Sequence, residues 1–239
     1  MEKRTPSPHV QQKRQRRVEQ ILDVSMGVLG AEGIEAVSVH RVARELNLTV
    51  GALYRYFESK DALVVALWRR AVEAYKGELL SVQGALRERA SEPVGPLTLV
   101  VAAALEYQRQ SVLQPARFYF IMLALTRESV LLPVEHRPVL MGELFGLLQS
   151  IESPLAMAVE SGTLHKGSAR ERTISLWAGL NGALSLGKLG RTDPKEIPTG
   201  HLVEELLRSL LCTWGADPEV VKRVLREGRT RHSRIEELN

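Results

Sequence analysis

The chain has 239 residues, 44% of them hydrophobic, and a formal net charge of +4. That length and apolar share can bury a core without disulfide staples, and the lone cysteine, Cys212, excludes an intramolecular disulfide. No run approaches the ~18 uninterrupted apolar residues of a membrane helix, and the start Met1-Glu2-Lys3-Arg4 leads to Thr5-Pro6-Ser7-Pro8, not to a secretory apolar stretch. A soluble protein of a reducing cytoplasm is expected, with no membrane partner.

The charge is unevenly placed. Lys3, Arg4, Lys13, Arg14, Arg16 and Arg17 face a single acid, Glu2, within residues 1–17. Such an arm can neutralise phosphates, and it can equally be a solvated tail. Residues 1–10, with Pro6 and Pro8, read as a disordered leader. From Gln11 a helix begins, with Val18, Ile21, Leu22, Ser25 and Leu29 on one stripe, and Gly33 ends it as a left-handed cap.

Ser38 caps a helix predicted from Val39 to Leu46. Asn47 tolerates left-handed backbone, Leu48 plugs into the core, and Thr49 caps a second short helix from Val50 to Phe57. Ser59 caps a long helix running to about Arg89, with Leu63, Leu67, Val72 and Tyr75 among its apolar positions. Two short helices joined by so short a turn form the helix-turn-helix pattern, which helical hairpins also share.

Ser91 to Pro96 marks a break. Beyond it the periodicity predicts helices at Leu97–Val112, Pro115–Thr126, Val139–Ile151, Pro154–Ser161, Ala169–Lys188, Gly200–Trp214 and Pro218–Glu227, with a restart or kink at Ser153-Pro154. No alternating strand pattern is present, and the fold class is all-α.

On the Val50–Phe57 helix, Leu53 and Phe57 face the core, which turns Gly51 and Arg55 outward. Gly51 and Ala52 leave room for the helix to sit deep in a major groove. Arg55 can reach base edges or phosphate, and Tyr54 and Tyr56 offer hydroxyls to phosphate, though aromatics also simply pack. Thr49 and Ser38 stand at helix starts that bind phosphate, and Lys60 extends the positive rim.

The segment from Val37 to Leu63 resembles the DNA-binding part of tetracycline-repressor (TetR) family regulators. It carries Thr49, Gly51, Leu53, Tyr54, Tyr56, Phe57, Ser59, Lys60 and Leu63 in the family's register, and the likeness covers roughly residues 11–68. Asn47 stands where Gly is usual, and Val50 where Lys, Arg or Pro is common, which points Val50 to a thymine methyl instead of a polar base edge. The resemblance implies an N-terminal helix-turn-helix domain followed by a larger helical domain, over 69–230, that binds a ligand and dimerises, with a tail at 231–239. It implies a double-stranded DNA operator, a small-molecule effector and a homodimer as partners, and repression as output.

On that basis the DNA-binding set is Lys13, Arg14, Arg17, Ser38, His40, Thr49, Val50, Gly51, Ala52, Tyr54, Arg55, Tyr56 and Lys60. An effector with a lipophilic body would meet Tyr107, Phe118, Tyr119, Met122, His136, Trp177 and Asn181, residues that core packing explains as well. The small residues Ala178, Gly179, Gly182 and Ala183, with the stripe Val203, Leu207, Leu210 and Trp214, make the expected dimer face, or else complete the monomer core. The six histidines show no i,i+4 pairing, and neither a phosphate loop nor a nucleophile elbow is present, so no metal, cofactor or catalysis is expected. An architectural DNA binder without effector is one alternative reading, favoured by the basic tail from Lys222 to Arg234, and a helical enzyme is the other, more remote one.

Overall fold

The computed structural model describes residues 7–90, 94–126, 136–186 and 199–236. Every element among them is helical. The chain divides into two compact units, Met1–Ala74 with Gln114–Glu143, and Tyr75–Leu113 with Leu144–Asn239.

In the first unit, α1 (Pro8–Glu32) buries Ile21, Leu22, Ser25, Val28 and Leu29 along one stripe. It begins three residues before the expected Gln11, because proline suits the first helical turn, where its missing N–H has no partner to lose. Residues 8–10 are therefore helix instead of leader, while residues 1–6 lie outside the described residues. The buried Ser25 hydroxyl donates to the Ile21 carbonyl at 2.8 Å, so the stripe tolerates it. Gly33 ends the helix at φ 84°, ψ 176°. The positive φ is as read from sequence, but the ψ is that of the glycine-only extended region and not of a left-handed cap.

A 3₁₀ turn, Ile34–Ala36, leads to α2 (Val39–Glu45), which buries Val39, Val42 and Ala43. Asn47 at φ 52° makes the turn, the lone non-glycine residue with positive φ among those described. The Leu48 N–H then reaches the Ala43 carbonyl at 2.8 Å. Next come α3 (Val50–Tyr54) and α4 (Lys60–Arg89), the latter begun by Ser59, whose hydroxyl accepts from Ala62 N–H at 3.0 Å. Leu63, Leu67 and Trp68 of α4 are fully buried, and the Trp68 indole donates to the Ile121 carbonyl of α6 (Pro115–Thr126). Arg70 clamps α1 through Glu19 and Asp23.

The second unit is built around α5 (Pro96–Leu113), whose buried residues run from Leu97 to Gln110 on most of its circumference. Against it pack α8 (Ala169–Ser185), α9 (Thr199–Thr213) and α10 (Pro218–Glu236). Helix α10 extends nine residues past the expected Glu227, so residues 231–236 are helix instead of tail.

The helix does not restart at Pro154: α7 runs from Arg137 to Glu160 with proline inside it. A proline there leaves the carbonyl four residues back, that of Ser150, without its helical donor. The buried Gln83 amide supplies the missing hydrogen, donating to the Ser150 carbonyl at 2.9 Å and to the Leu99 carbonyl at 3.3 Å. A side chain of α4 thus replaces a backbone bond of α7. Gln83→Leu keeps the volume and removes the donor, and should cost about 1–3 kcal/mol in a urea melt, the usual penalty for an orphaned buried acceptor. An unchanged melt would mean that Ser150 finds another donor.

Candidate nucleic-acid interface

The exposed side of α3 is set by what its other side buries. Leu53 is fully buried and Phe57 is 7% exposed. That anchorage leaves Gly51, Tyr54 and Arg55 on the surface, with Val50, Ala52 and Tyr56 half-buried at the flanks. Nothing lies within 4 Å of the place where a side chain at Gly51 would begin. The helix itself is shorter than expected, closing at Tyr54 with Arg55 as its cap. Tyr56 and Phe57 N–H groups still bond to the Leu53 carbonyl, at 2.9 and 3.2 Å, so the aromatic pair is held as if the helix continued.

Two hydroxyls fix the helix starts. Ser38 Oγ accepts from Arg41 N–H and Thr49 Oγ1 from Ala52 N–H, each at 3.1 Å. Each oxygen accepts in the cap, so its own O–H hydrogen remains able to donate to an external acceptor such as phosphate.

The cations divide into two groups. Arg14 donates through Nη2 to the Arg55 carbonyl at 3.4 Å, which brings the basic part of α1 to the end of α3, where the free carbonyls of a helix terminus are negative. Lys13, His40, Arg55 and Lys60 are exposed, and Arg17 is half-buried with a bond to Gln20. Arg41 is withdrawn from any such role. Glu32 and Glu45 both bind its guanidinium, at 2.7 and 2.8 Å, and their hydrogen bonds, Glu32 first, hold its pKa above the ordinary arginine value. Arg44, exposed one turn beyond His40, joins the cationic surface although the sequence reading passed over it. Its i,i+4 spacing from His40 was the signal available. Exposed Glu58 and Asp61 interrupt the rim beside Lys60.

The expected effector residues fall in different units. In the second, Tyr107, Trp177 and Asn181 come together. The Tyr107 hydroxyl donates to Asn181 Oδ1 at 2.5 Å, and the Trp177 indole hydrogen-bonds to the same hydroxyl. Burial pushes the phenol's pKa well above its ordinary value, against the lowering effect of those two bonds, so it stays neutral. Tyr75 stacks edge-on at 5.2 Å and donates to the Tyr107 carbonyl at 2.9 Å. Phe118, Tyr119 and Met122 lie on α6 in the first unit, where Phe118 is buried and meets Tyr119 edge-on at 5.5 Å. His136, half-buried, also belongs to that unit.

The expected dimer face needs correction. Val203 and Leu207 are fully buried within the protomer, so the α9 stripe serves the chain's own core. Gly179 is small for the same reason: a side chain there would begin 2.8 Å from Leu206 of α9. Ala178 and Gly182 are exposed, Ala183 and Leu210 are half-buried, and the half-buried Trp214 ring carries the Arg172 guanidinium at 5.5 Å.

Residues 21–67 match the family model of bacterial regulatory proteins, tetR family. The nucleoid occlusion factor SlmA of Actinobacillus pleuropneumoniae serotype 5b is 28% identical over 96 residues, 40% of this chain and 46% of that protein. The HTH-type transcriptional repressor KstR of Rhodococcus jostii is 39% identical over 67 residues, 28% of this chain and 30% of that protein. The chain thus spans less than half the length of these curated relatives. The fatty acid degradation regulator FadR from Bacillus halodurans superposes with a TM-score of 0.62 at 17% identity, covering 90% of this chain and 100% of that one. That likeness shows the fold.

Proposed function

We propose that the chain, whose residues 21–67 match the tetR family of bacterial regulatory proteins, is a transcriptional regulator that binds a palindromic operator as a homodimer, represses from it, and releases it when a small effector binds. The carrying observation is the surface of α3, where Gly51 stands open to solvent while Leu53 and Phe57 hold the helix from behind. A helix fronted by so small a residue can approach base edges closely. Arg55 and Tyr54 then reach the duplex, and Val50 meets a thymine methyl. Ser38, His40, Thr49, Tyr56 and Lys60 position the phosphates, with Lys13, Arg14 and Arg17 extending that grip from α1. DNA binding is assigned to residues 11–68, and sensing and dimerisation to residues 69–230.

For sensing, the Tyr107–Trp177–Asn181 cluster supplies a neutral donor-acceptor set inside apolar surroundings. An effector with one polar handle would take over one of those bonds and shift the population toward a form with misplaced recognition helices. For dimerisation, the exposed Ala178 and Gly182 of α8, with half-buried Ala183, Leu210 and Trp214, are the surviving surface. The name of one relative, a transcriptional repressor, is in keeping with repression.

Selection from random duplexes tests the reading. It should enrich an inverted repeat whose half-sites lie about one turn, ~34–36 Å, apart, and sedimentation should show two chains in solution. An architectural binder, the second reading, draws on the exposed Lys222, Arg223 and Arg226 of α10 and predicts no enriched repeat. Replacing Lys13, Arg14 and Arg17 by alanine should flatten the slope of log affinity against log salt by ~0.9 for each phosphate no longer neutralised. An unchanged slope would remove α1 from the interface.

A further inference from the structure

Within the second unit, α4 and α7 leave a groove of about 240 Å³ between them. Its walls are two helical stripes: Lys76, Leu80, Gln83 and Arg87 on one side, Gly146, Gln149, Ser150, Ser153 and Pro154 on the other. None of these residues is in the Tyr107 cluster. The Gln83 amide that stands in for the missing Pro154 N–H also lines the groove.

The lining contains two cations and no carboxylate. Neither the Lys76 nor the Arg87 side chain makes an ion pair or hydrogen bond among the described residues. Gly146 gives the lysine its place: the Lys76 ammonium lies 3.5 Å from where a side chain at Gly146 would begin, so the head group rests over bare α7 backbone. Three helical turns along α4, about 16 Å at 1.5 Å per residue, stands Arg87. Between them Leu80 is 46% exposed, an apolar surface with no cover, facing a wall that includes Pro154.

We propose that this groove binds a small organic anion with a short apolar body, its anionic head group at Lys76 and its body on Leu80 and Pro154. Gln149, Ser153 and Arg87 supply donors at the far end. A positive wall without acids selects the negative charge, and the exposed leucine selects a body over a bare ion. The volume lies below the ~300–1,000 Å³ of pockets that take drug-sized ligands, which limits the occupant's size.

Calorimetric titration of the full chain with sodium octanoate, and separately with 1-octanol, tests this. Octanoate should bind saturably and 1-octanol at least tenfold more weakly. Lys76→Gln should lower octanoate affinity tenfold or more, and the exposed Arg87→Gln severalfold, with melting temperatures unchanged. Absence of saturable octanoate binding, equal binding of the alcohol, or octanoate affinity indifferent to both substitutions overturns the proposal. So does a hexaglutamate peptide that binds through Lys76 and Arg87 where octanoate does not, since the groove would then serve an acidic polypeptide. The site does not depend on DNA binding. Octanoate binding by a chain that enriches no operator would leave the groove standing and defeat the regulator reading, and the reverse result would do the opposite.

Discussion

Gly51→Glu should fold as the parent does and lose operator affinity by a hundredfold or more. No atom stands within 4 Å of the new side chain's first carbon, so the substitution meets no steric obstacle in the protein. A carboxylate in the first turn of α3 also suits the helix dipole, and it replaces a glycine that costs the helix up to ~1 kcal/mol. The whole penalty therefore falls on the complex. A longer acidic side chain on the outward face keeps α3 from seating and sets a negative charge against the phosphates. Each base interaction so forfeited by Arg55 or Tyr54 is worth ~1–3 kcal/mol. Gly51→Ala separates size from charge: it should stabilise the fold slightly and weaken the operator complex far less. The comparison is made by circular dichroism melts and electrophoretic mobility shift on the same preparations. Full operator affinity in the glutamate variant would show that α3 does not enter the groove.

Trp68→Ala should destabilise the first unit by about 3–5 kcal/mol, the range for emptying a buried tryptophan site. The indole has no solvent exposure, sits among the equally buried Leu63, Leu67 and Ala71, and donates to the Ile121 carbonyl at 3.4 Å. Its loss opens a cavity where α4 meets α6. Trp68→Phe keeps an aromatic ring and loses the N–H, and should cost roughly half as much. For a chain of this size the alanine variant should melt roughly 10 °C lower. A melt within 2–3 °C (roughly 1 kcal/mol by the same scaling) would mean that the site collapses around the smaller residue.

The legible parts of the molecule were those decided within a few residues of chain. Ser38, Thr49 and Ser59 are caps because a hydroxyl at a helix start reaches an amide three residues on, and all three do so. Leu53 and Phe57 are four apart, which fixed the buried side of α3 and hence the exposure of Gly51 and Arg55. What sequence could not supply was distant partnership. Pro154 reads as a break until Gln83, 67 residues from Ser150, is seen donating to the carbonyl that proline abandons. Val203 and Leu207 form a stripe that announces burial without saying against what, and α9 turns it inside the protomer. Tyr107 and Asn181, chosen for their residue types, meet across 74 residues, whereas Phe118 and Tyr119, chosen likewise, belong to the other unit. Nothing local in the sequence marks Lys76, because its neighbour Gly146 is 70 residues away along the chain.

The central claim is that the open side of α3 enters duplex DNA, twice, in a symmetric complex. Hydroxyl-radical footprinting of the enriched operator with the full chain reads this directly. Two protected patches related by a two-fold axis and centred about one helical turn apart should appear, and Gly51→Glu should erase both. A single patch, uniform protection along the duplex, or a footprint that persists in the glutamate variant would contradict it.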